Sequence, residues 1–310
     1  MKIISDNINF RIDVPSVVTI GKFDGIHKGH AQVFKRMEEY RKQGLKMVVF
    51  TFDMPVSRVL GGGDGKVLTT REEKRHIFGK MGADYLVEFP FNEKTASISA
   101  EEFIDDYLVE SMSMHAIVMG NDCRFGHRGM GNAEMLARYA HNYGYEVEVL
   151  DKIRQNGVEI SSTAIRSCVE TGRIGSANEM LLYPYFFLGE VIKGRQLGRT
   201  MGMPTVNLRP LAGKLLPPSG VYFSSVELGG VKYNAITDIG CKPTVEDEKD
   251  PPIGVETYIY DFDKQIYGEE ISVSLYEFHR SEMKFDSLEA LEKQLEKDVA
   301  LGEKWHKNHA

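Results

Sequence analysis

The sequence predicts an α/β domain followed by an all-β domain. Three observations point there. A length of 310 residues exceeds one typical hydrophobic core and suits two. Apolar runs alternate with helix-period segments through the first half. Short strand-like runs broken by Gly, Pro and Asn fill the second.

In the first half, Val17-Val18-Thr19-Ile20 is a β-branched run ending at a glycine, and Val33, Phe34 and Met37 lie at helical spacing between Lys28 and Gln43. Residues 47–52, Met-Val-Val-Phe-Thr-Phe, form the unbroken apolar run of a strand buried on both faces of a parallel sheet. Thr70 and Glu73 have the spacing of a capping box at the head of a helix. Strands at 85–89, 116–119 and 147–150 then alternate with helices at 100–111 and 133–143. This alternation implies a doubly wound sheet whose ligands lie beyond the carboxyl ends of its strands. After Tyr183 the runs 189–192, 220–223, 258–260 and 271–275 suggest a small antiparallel barrel or sandwich, and Leu288–Trp305 reads as one closing helix. The boundary near Leu182–Tyr185 gives domains 1–183 and 184–310.

Composition excludes several functions. A net charge of −7 is wrong for a protein that coats nucleic acid with a basic face. No apolar run reaches the roughly 18 residues of a membrane helix, and the N-terminus lacks a signal-peptide pattern, so a cytoplasmic protein without nucleic-acid or membrane partners is expected. Cys123, Cys168 and Cys241 are too widely spaced for a metal site and suit a reducing compartment.

The strongest local signal is GKFDGIHKGH, residues 21–30, which joins the first long strand to the first helix. Gly21 and Gly25 allow a sharp turn close to a ligand. His27 and His30, three apart, share one face of the first helical turn, where free N–H groups and the helix dipole favour phosphate. Two surface histidines without a role would give the same spacing; the strand-to-helix position favours phosphate chemistry. In ISSTAIRS, residues 160–167, the hydroxyls of Ser161, Ser162 and Thr163 precede a helical run carrying Arg166. That pattern is either a capped helix with a surface arginine or a clamp for a leaving pyrophosphate. In GEVIKGRQLGRTMGMPTVNL, residues 189–208, Gly194, Gly198 and Gly202 permit a tight loop, and Thr205 and Asn207 face one way if the segment is extended. Their hard oxygens suit Mg²⁺, although turns also favour Thr and Asn.

GKFDGIHKGH, GNDCRFGHRGMGN at 120–132 and ISSTAIRS together resemble the FMN adenylyltransferase module of the prokaryotic bifunctional riboflavin kinase/FAD synthetases, a group of HxGH nucleotidyltransferases with a Rossmann-like fold. MPTVNL, PPSGVY at 217–222, IGCKPTV at 239–245, VETYIYDF and RSEMKFDSLEAL at 280–291 resemble, in order, the kinase module, a small antiparallel barrel with a C-terminal helix. The resemblance runs from about Ser16 to Asp298. It implies phosphorylation of riboflavin to FMN and direct adenylylation of FMN to FAD, with ATP and Mg²⁺. His27, His30 and Arg166 would act on the ATP phosphates, with Gly21, Phe23, Asp24, Gly29, Ser161, Ser162 and Thr163 around them. Asp122 and Arg124 would lie near the nucleotide or the flavin, and are placed with the flavin. In the kinase module Glu256 would be the general base, Thr205 and Asn207 the Mg²⁺ ligands, Gly194, Gly198 and Arg199 the phosphate loop, and Arg280 a flavin or phosphate contact. Departures on the flavin side are Phe52-Asp53-Met54-Pro55-Val56 for an F-x-P-H-P stretch, Cys123 for a phenylalanine and Asn132 for an aspartate; at the domain junction Leu182-Tyr183-Pro184-Tyr185 stands for L-G-R-P-Y.

Two other functional classes compete with the bifunctional enzyme. One is a riboflavin kinase with a weak adenylyltransferase domain. The other is a flavin-storage protein, which would need neither Glu256 nor a Thr205/Asn207 pair. An aminoacyl-tRNA synthetase would share HxGH, but no K-M-S-K-S segment is present.

Overall fold

Six parallel strands build the N-terminal sheet in the order β1-β4-β3-β2-β5-β6. They are β1 (Lys2–Ser5), β2 (Ser16–Ile20), β3 (Lys46–Phe52), β4 (Tyr85–Phe89), β5 (Met114–Gly120) and β6 (Glu146–Leu150). The computed structural model describes residues 1–55, 61, 65–155, 157–194, 198, 202–241 and 253–309. Consecutive pairs Val17-Val18, Val48-Val49, Leu86-Val87 and Ile117-Val118 are all fully buried, as a sheet covered on both faces demands. The order reverses between β2 and β5, so the loops that follow these two strands diverge and open a crevice at their carboxyl ends.

Helix α1 (Lys28–Lys42) buries Val33, Phe34 and Met37, the stripe its sequence spacing predicts. Helix α2 (Arg71–Lys80) starts with the expected capping box: the Thr70 N–H donates to Glu73 Oε2 (2.9 Å) and the Glu73 N–H to Thr70 Oγ1 (3.3 Å). Arg71 and Arg75, one turn apart, both pair with the buried Glu88 of β4 (2.7 and 2.6 Å), which fastens α2 to the sheet. The expected helix at 100–111 is present with a different register: one turn, Ala100–Glu102, continues as a π-helix over Phe103–Ser111. Its wider turns direct Phe103, Ile104 and Leu108 into the core. Helix α3 (Ala133–Tyr143) is capped by Asn132, whose Oδ1 accepts the Met135 N–H at 2.9 Å.

The chain divides by contacts into units Met1–Ser162 and Thr163–Ala310. This division falls before the change of sequence texture near Tyr183: of the intervening helices α4 (Ser162–Glu170) and α5 (Ile174–Met180), the second packs on the barrel strand Glu270–Arg280. Asn178 of α5 donates to Leu275 O (2.9 Å) and accepts from the Tyr185 N–H (2.7 Å). The second unit is a closed antiparallel barrel, β10-β13-β12-β11-β14-β9. After the two-stranded ribbon of β7 (Arg154–Gln155) and β8 (Val158–Glu159) in the first unit, the barrel strands are β9 (Phe186–Ile192), β10 (Thr205–Leu208), β11 (Gly220–Leu228), β12 (Val231–Cys241), β13 (Ile253–Ile259) and β14 (Glu270–Arg280). Ser224, Thr237 and Thr257 satisfy one another inside it through hydroxyl contacts of 2.7 and 2.9 Å. The closing helix, α6 (Leu288–Asn308), is one turn longer than expected and packs Val299 and Trp305 on Phe223 and Tyr260. Among the described residues no helix is long and apolar enough to cross a membrane.

Candidate functional site

The turn after β2 is built around Asp24. Its Oδ1 accepts the Leu68 and Thr69 N–H groups (2.7 and 3.2 Å), and its carbonyl accepts the Ser162 hydroxyl (2.6 Å). Gly25 has φ +68°, and a Cβ there would lie 2.7 Å from Leu68, so only glycine fits this bend. Three separate segments, 21–30, 68–69 and 161–162, are thereby tied at the carboxyl end of β2. Phe23, expected at the nucleotide, is buried, its ring 5.1 Å from that of His30 and 5.4 Å from Phe78. It backs His30 from the core.

His27 caps α1 and His30 is three residues into it; their rings stack at 3.8 Å. The His27 backbone N–H donates to His30 Nδ1 (3.2 Å), so Nε2 of His30 carries the ring proton. The Nδ1 of His27 is buried without a hydrogen-bond partner among the described residues. Burial lowers His27 to a pKa of about 4, against the opposing charge of Asp122. Burial, then His27 and Lys74, hold His30 well below the usual histidine range. At neutral pH the pair is uncharged and offers N–H donors beside the open first turn of α1, whose N–H groups point at the same space.

Beside the turn lies a cavity of about 620 Å³, walled by Phe50, Phe52, Phe89, Phe91, Phe103 and Phe125. It also touches Gly21, and Arg124 and Cys123 stand on its wall. A volume of this size accepts one drug-sized ligand, and a wall of phenylalanines suits a flat aromatic ring system. Cys123 is inert here: burial pushes its thiol up to about 12, and Sγ contacts Ile20 O at 3.5 Å. In the stretch that departs from F-x-P-H-P, Asp53 Oδ1 accepts the Phe91 N–H (2.9 Å) and ties that wall together. Asp122, the neighbour of Cys123 in the chain, pairs with Lys152 (3.1 Å). Thr163 and Arg166 fall in the second unit, on α4.

In the barrel, β10 and β13 pair Asn207 with Glu256 and Thr205 with Tyr258, while β12 places Asp238 across from Glu256. Thr205, Asn207, Asp238 and Glu256 therefore share one sheet face. The Thr205 hydroxyl donates to Glu256 Oε1 at 2.5 Å. A Cβ on Gly194 would lie 2.4 Å from the Asn207 amide, so glycine there lets the loop close over it. Two cavities meet at Thr205 and Tyr258. One, about 310 Å³, is lined by Gly198, Glu256, Arg280, Phe285 and Leu291. The other, about 570 Å³, is lined by Val206, Asp261 and Tyr267. Arg280 is held by the buried Asp298, which takes Nη2 at 2.6 Å and also contacts His279 (3.2 Å) and Gln294 (2.8 Å). Arg199 lies outside the described residues, as do positions 242–245 of IGCKPTV.

The fold thus joins His27 with His30, and Thr205 with Asn207, Glu256 and Arg280. Sequence reasoning missed the phenylalanine cavity, Asp238, Asp298 and Lys74. The phenylalanines at the ends of the predicted strands were a usable signal; the other three are single charged residues in segments of ordinary composition.

Residues 10–164 match the FAD synthetase family and residues 181–306 the riboflavin kinase family. A relative from Listeria monocytogenes, named bifunctional riboflavin kinase/FMN adenylyltransferase, is 38% identical over 92% of this chain and 91% of its own. Relatives of the same name from Bacillus subtilis and Escherichia coli strain K12 are 34% and 33% identical, each over 91% of this chain and 90% of theirs. A crystal structure described as a macrolide-efflux protein from Streptococcus pneumoniae superposes with a TM-score of 0.83 at 32% identity, covering 96% of both chains.

Proposed function

This chain belongs to the family of bifunctional riboflavin kinase/FMN adenylyltransferases, and from that membership we propose which residues carry each reaction. The enzyme phosphorylates riboflavin to FMN and adenylylates FMN to FAD. Its partition between catalytic modules is proposed as 1–183 and 184–310, and its compartment as the cytoplasm, which suits the free thiols of Cys123 and Cys168.

For adenylylation, the triphosphate of ATP binds the 21–30 turn. His27 and His30 donate to its oxygens together with the N–H groups around Gly29, while Gly21, Phe23 and Asp24 hold the shape of the turn. Ser161, Ser162, Thr163 and Arg166 take the pyrophosphate. The isoalloxazine ring of FMN fills the phenylalanine cavity, with Asp122 and Arg124 toward its polar end. An FMN phosphate oxygen attacks the α-phosphorus, pyrophosphate leaves, and the neutral imidazoles stabilise the charge on the transferring group. No covalent enzyme intermediate forms. The observation that carries this reading is the stacked His27/His30 pair set at the head of α1, beside an aromatic cavity.

For phosphorylation, Glu256 takes the proton of the ribityl hydroxyl as it attacks the γ-phosphorus. The oxygens of Thr205 and Asn207 fit Mg²⁺: both are hard donors on one strand face, and Gly194 leaves the space around the Asn207 amide clear. Bound there, the ion would neutralise phosphate charge. Gly194, Gly198 and Arg199 form the phosphate loop. Riboflavin takes the cavity with Phe285 and Leu291, next to Arg280, and ATP the one with Asp261 and Tyr267; Thr205, on both, marks where they meet.

Replacing His27 and His30 together by Ala tests the assignment. FAD formation from supplied FMN should fall by at least about 100-fold, in line with the loss of preorganised donors, while FMN formation persists. Loss of both activities in a folded protein would refute the two-site reading.

A further inference from the structure

The His27/His30 pair is uncharged in the free enzyme near neutral pH, so it brings donors to a triphosphate but no fixed positive charge. Of the lysines near the turn, Lys22 and Lys28 are exposed, whereas Lys74 is partly buried. Lys28 donates to Gln155 (3.1 Å), and Lys152 is shared between Asp122 and Glu159. Lys74 is placed differently. From α2 its Nζ donates to the carbonyl of Lys22, inside the 21–30 turn, at 2.6 Å, and its charge reaches His30. One carbonyl uses one of the three ammonium protons and supplies no counter-charge. On either side of it along α2, Arg71 and Arg75 are locked onto Glu88, so the helix cannot roll and Lys74 stays at the turn.

We propose that Lys74 is a further phosphate-binding residue of the adenylyltransferase centre: its ammonium, anchored on Lys22 O next to the histidine pair, binds the pyrophosphate portion of ATP and supplies the positive charge the imidazoles lack. This rests on the assignment of the 21–30 turn to ATP. The groups facing Lys74 are Asp24 from the turn, Glu88 from β4 and His30 from α1. Burial lowers its pKa to about 8, with Asp24 and Glu88 opposing. The ammonium is therefore mostly charged near pH 7, half charged near pH 8 and loses its charge as pH rises further, so utilisation of ATP for FAD synthesis should decline above about pH 8.

The test uses the full-length enzyme, with FAD formation from FMN and ATP followed between pH 6.5 and 9.5, and the reverse reaction of FAD with pyrophosphate at pH 7. In Lys74→Met, kcat/KM for ATP should fall by about 10- to 100-fold, the value of a charge-assisted hydrogen bond, and KM for pyrophosphate should rise by a similar factor. KM for FMN and the rate of FMN formation from riboflavin should be unchanged. In Lys74→Arg, which stays charged, activity should persist above pH 8 where the wild-type enzyme declines. Lys74→Met within threefold of wild type would overturn the proposal. So would a variant that loses FMN and ATP affinity equally, which is the mark of a structural role. If Lys74→Met does not fold, the pH profile of Lys74→Arg decides: a decline identical to the wild type overturns the proposal. If the His27/His30 double variant still makes FAD at the wild-type rate, the assignment of the turn itself has failed, independently of Lys74.

Discussion

If Glu256 is the base proposed above, replacing it by Gln removes that base and little else. The side chain keeps its length, and Gln Oε1 can still accept the Thr205 hydroxyl that now lies 2.5 Å from the carboxylate. Going from a charged to a neutral acceptor weakens that bond by about 1 kcal/mol, worth roughly a factor of five if Thr205 shifts. Loss of general-base catalysis contributes about 10²–10⁴, and the loose transition state of phosphoryl transfer, in which the proton leaves late, argues for the lower part of that range. FMN formation should therefore drop by about 10²–10³. Incubation with riboflavin, ATP and Mg²⁺ followed by chromatographic separation of the flavins measures it directly. FAD formation from supplied FMN should remain within twofold, because the 21–30 turn lies in the other compact unit. An FMN rate within fivefold of wild type would remove Glu256 from the role of base and leave it as an anchor for Thr205.

Asp298→Asn should destabilise the barrel by about 1–3 kcal/mol, since it leaves the partly buried Arg280 guanidinium without its counter-charge, and it should raise KM for riboflavin; denaturant unfolding and steady-state kinetics check each part. Acidification should weaken the first unit. The folded pKa of His27 is about 4 against 6.5 unfolded, so the unfolded chain binds more protons between these values, and stability is lost as pH falls from 6.5 to 4. The loss is at most about 3 kcal/mol, and thermal melts of His27→Gln should show a flatter acid limb. Gly194→Ala should drive a methyl into the Asn207 amide and impair FMN formation at least tenfold, while FAD formation from FMN is retained.

Much of both catalytic regions was legible because it is local. The buried run at 47–52, the Thr70/Glu73 box and the stripe of Val33, Phe34 and Met37 report on neighbours within a turn or along one strand. The structure keeps all three. The His27-x-x-His30 spacing likewise fixed a shared helical face. The role of Phe23 was not legible. Its place in a phosphate motif suggests nucleotide contact, whereas its positive φ turns the ring inward onto Phe78, forty or more residues along the chain. The π-register at 103–111 was hidden too, because the apolar spacing of that segment reads as an ordinary helix.

By itself the sequence determined the two fold classes, the strand-to-helix turn with its histidine pair, and the strand that aligns Thr205 with Asn207. These depend on backbone periodicity, capping and glycine freedom, which act over a few residues. Only the tertiary structure decided which distant groups meet them. It brought Lys74 to Lys22, Glu88 to two arginines, Asp298 to Arg280 and six phenylalanines around one cavity. It also decided that residues 163–180 group with the barrel by their contacts. Such pairings are set by strand order and by the burial of charge and apolar surface across long loops, and no short-range pattern encodes them.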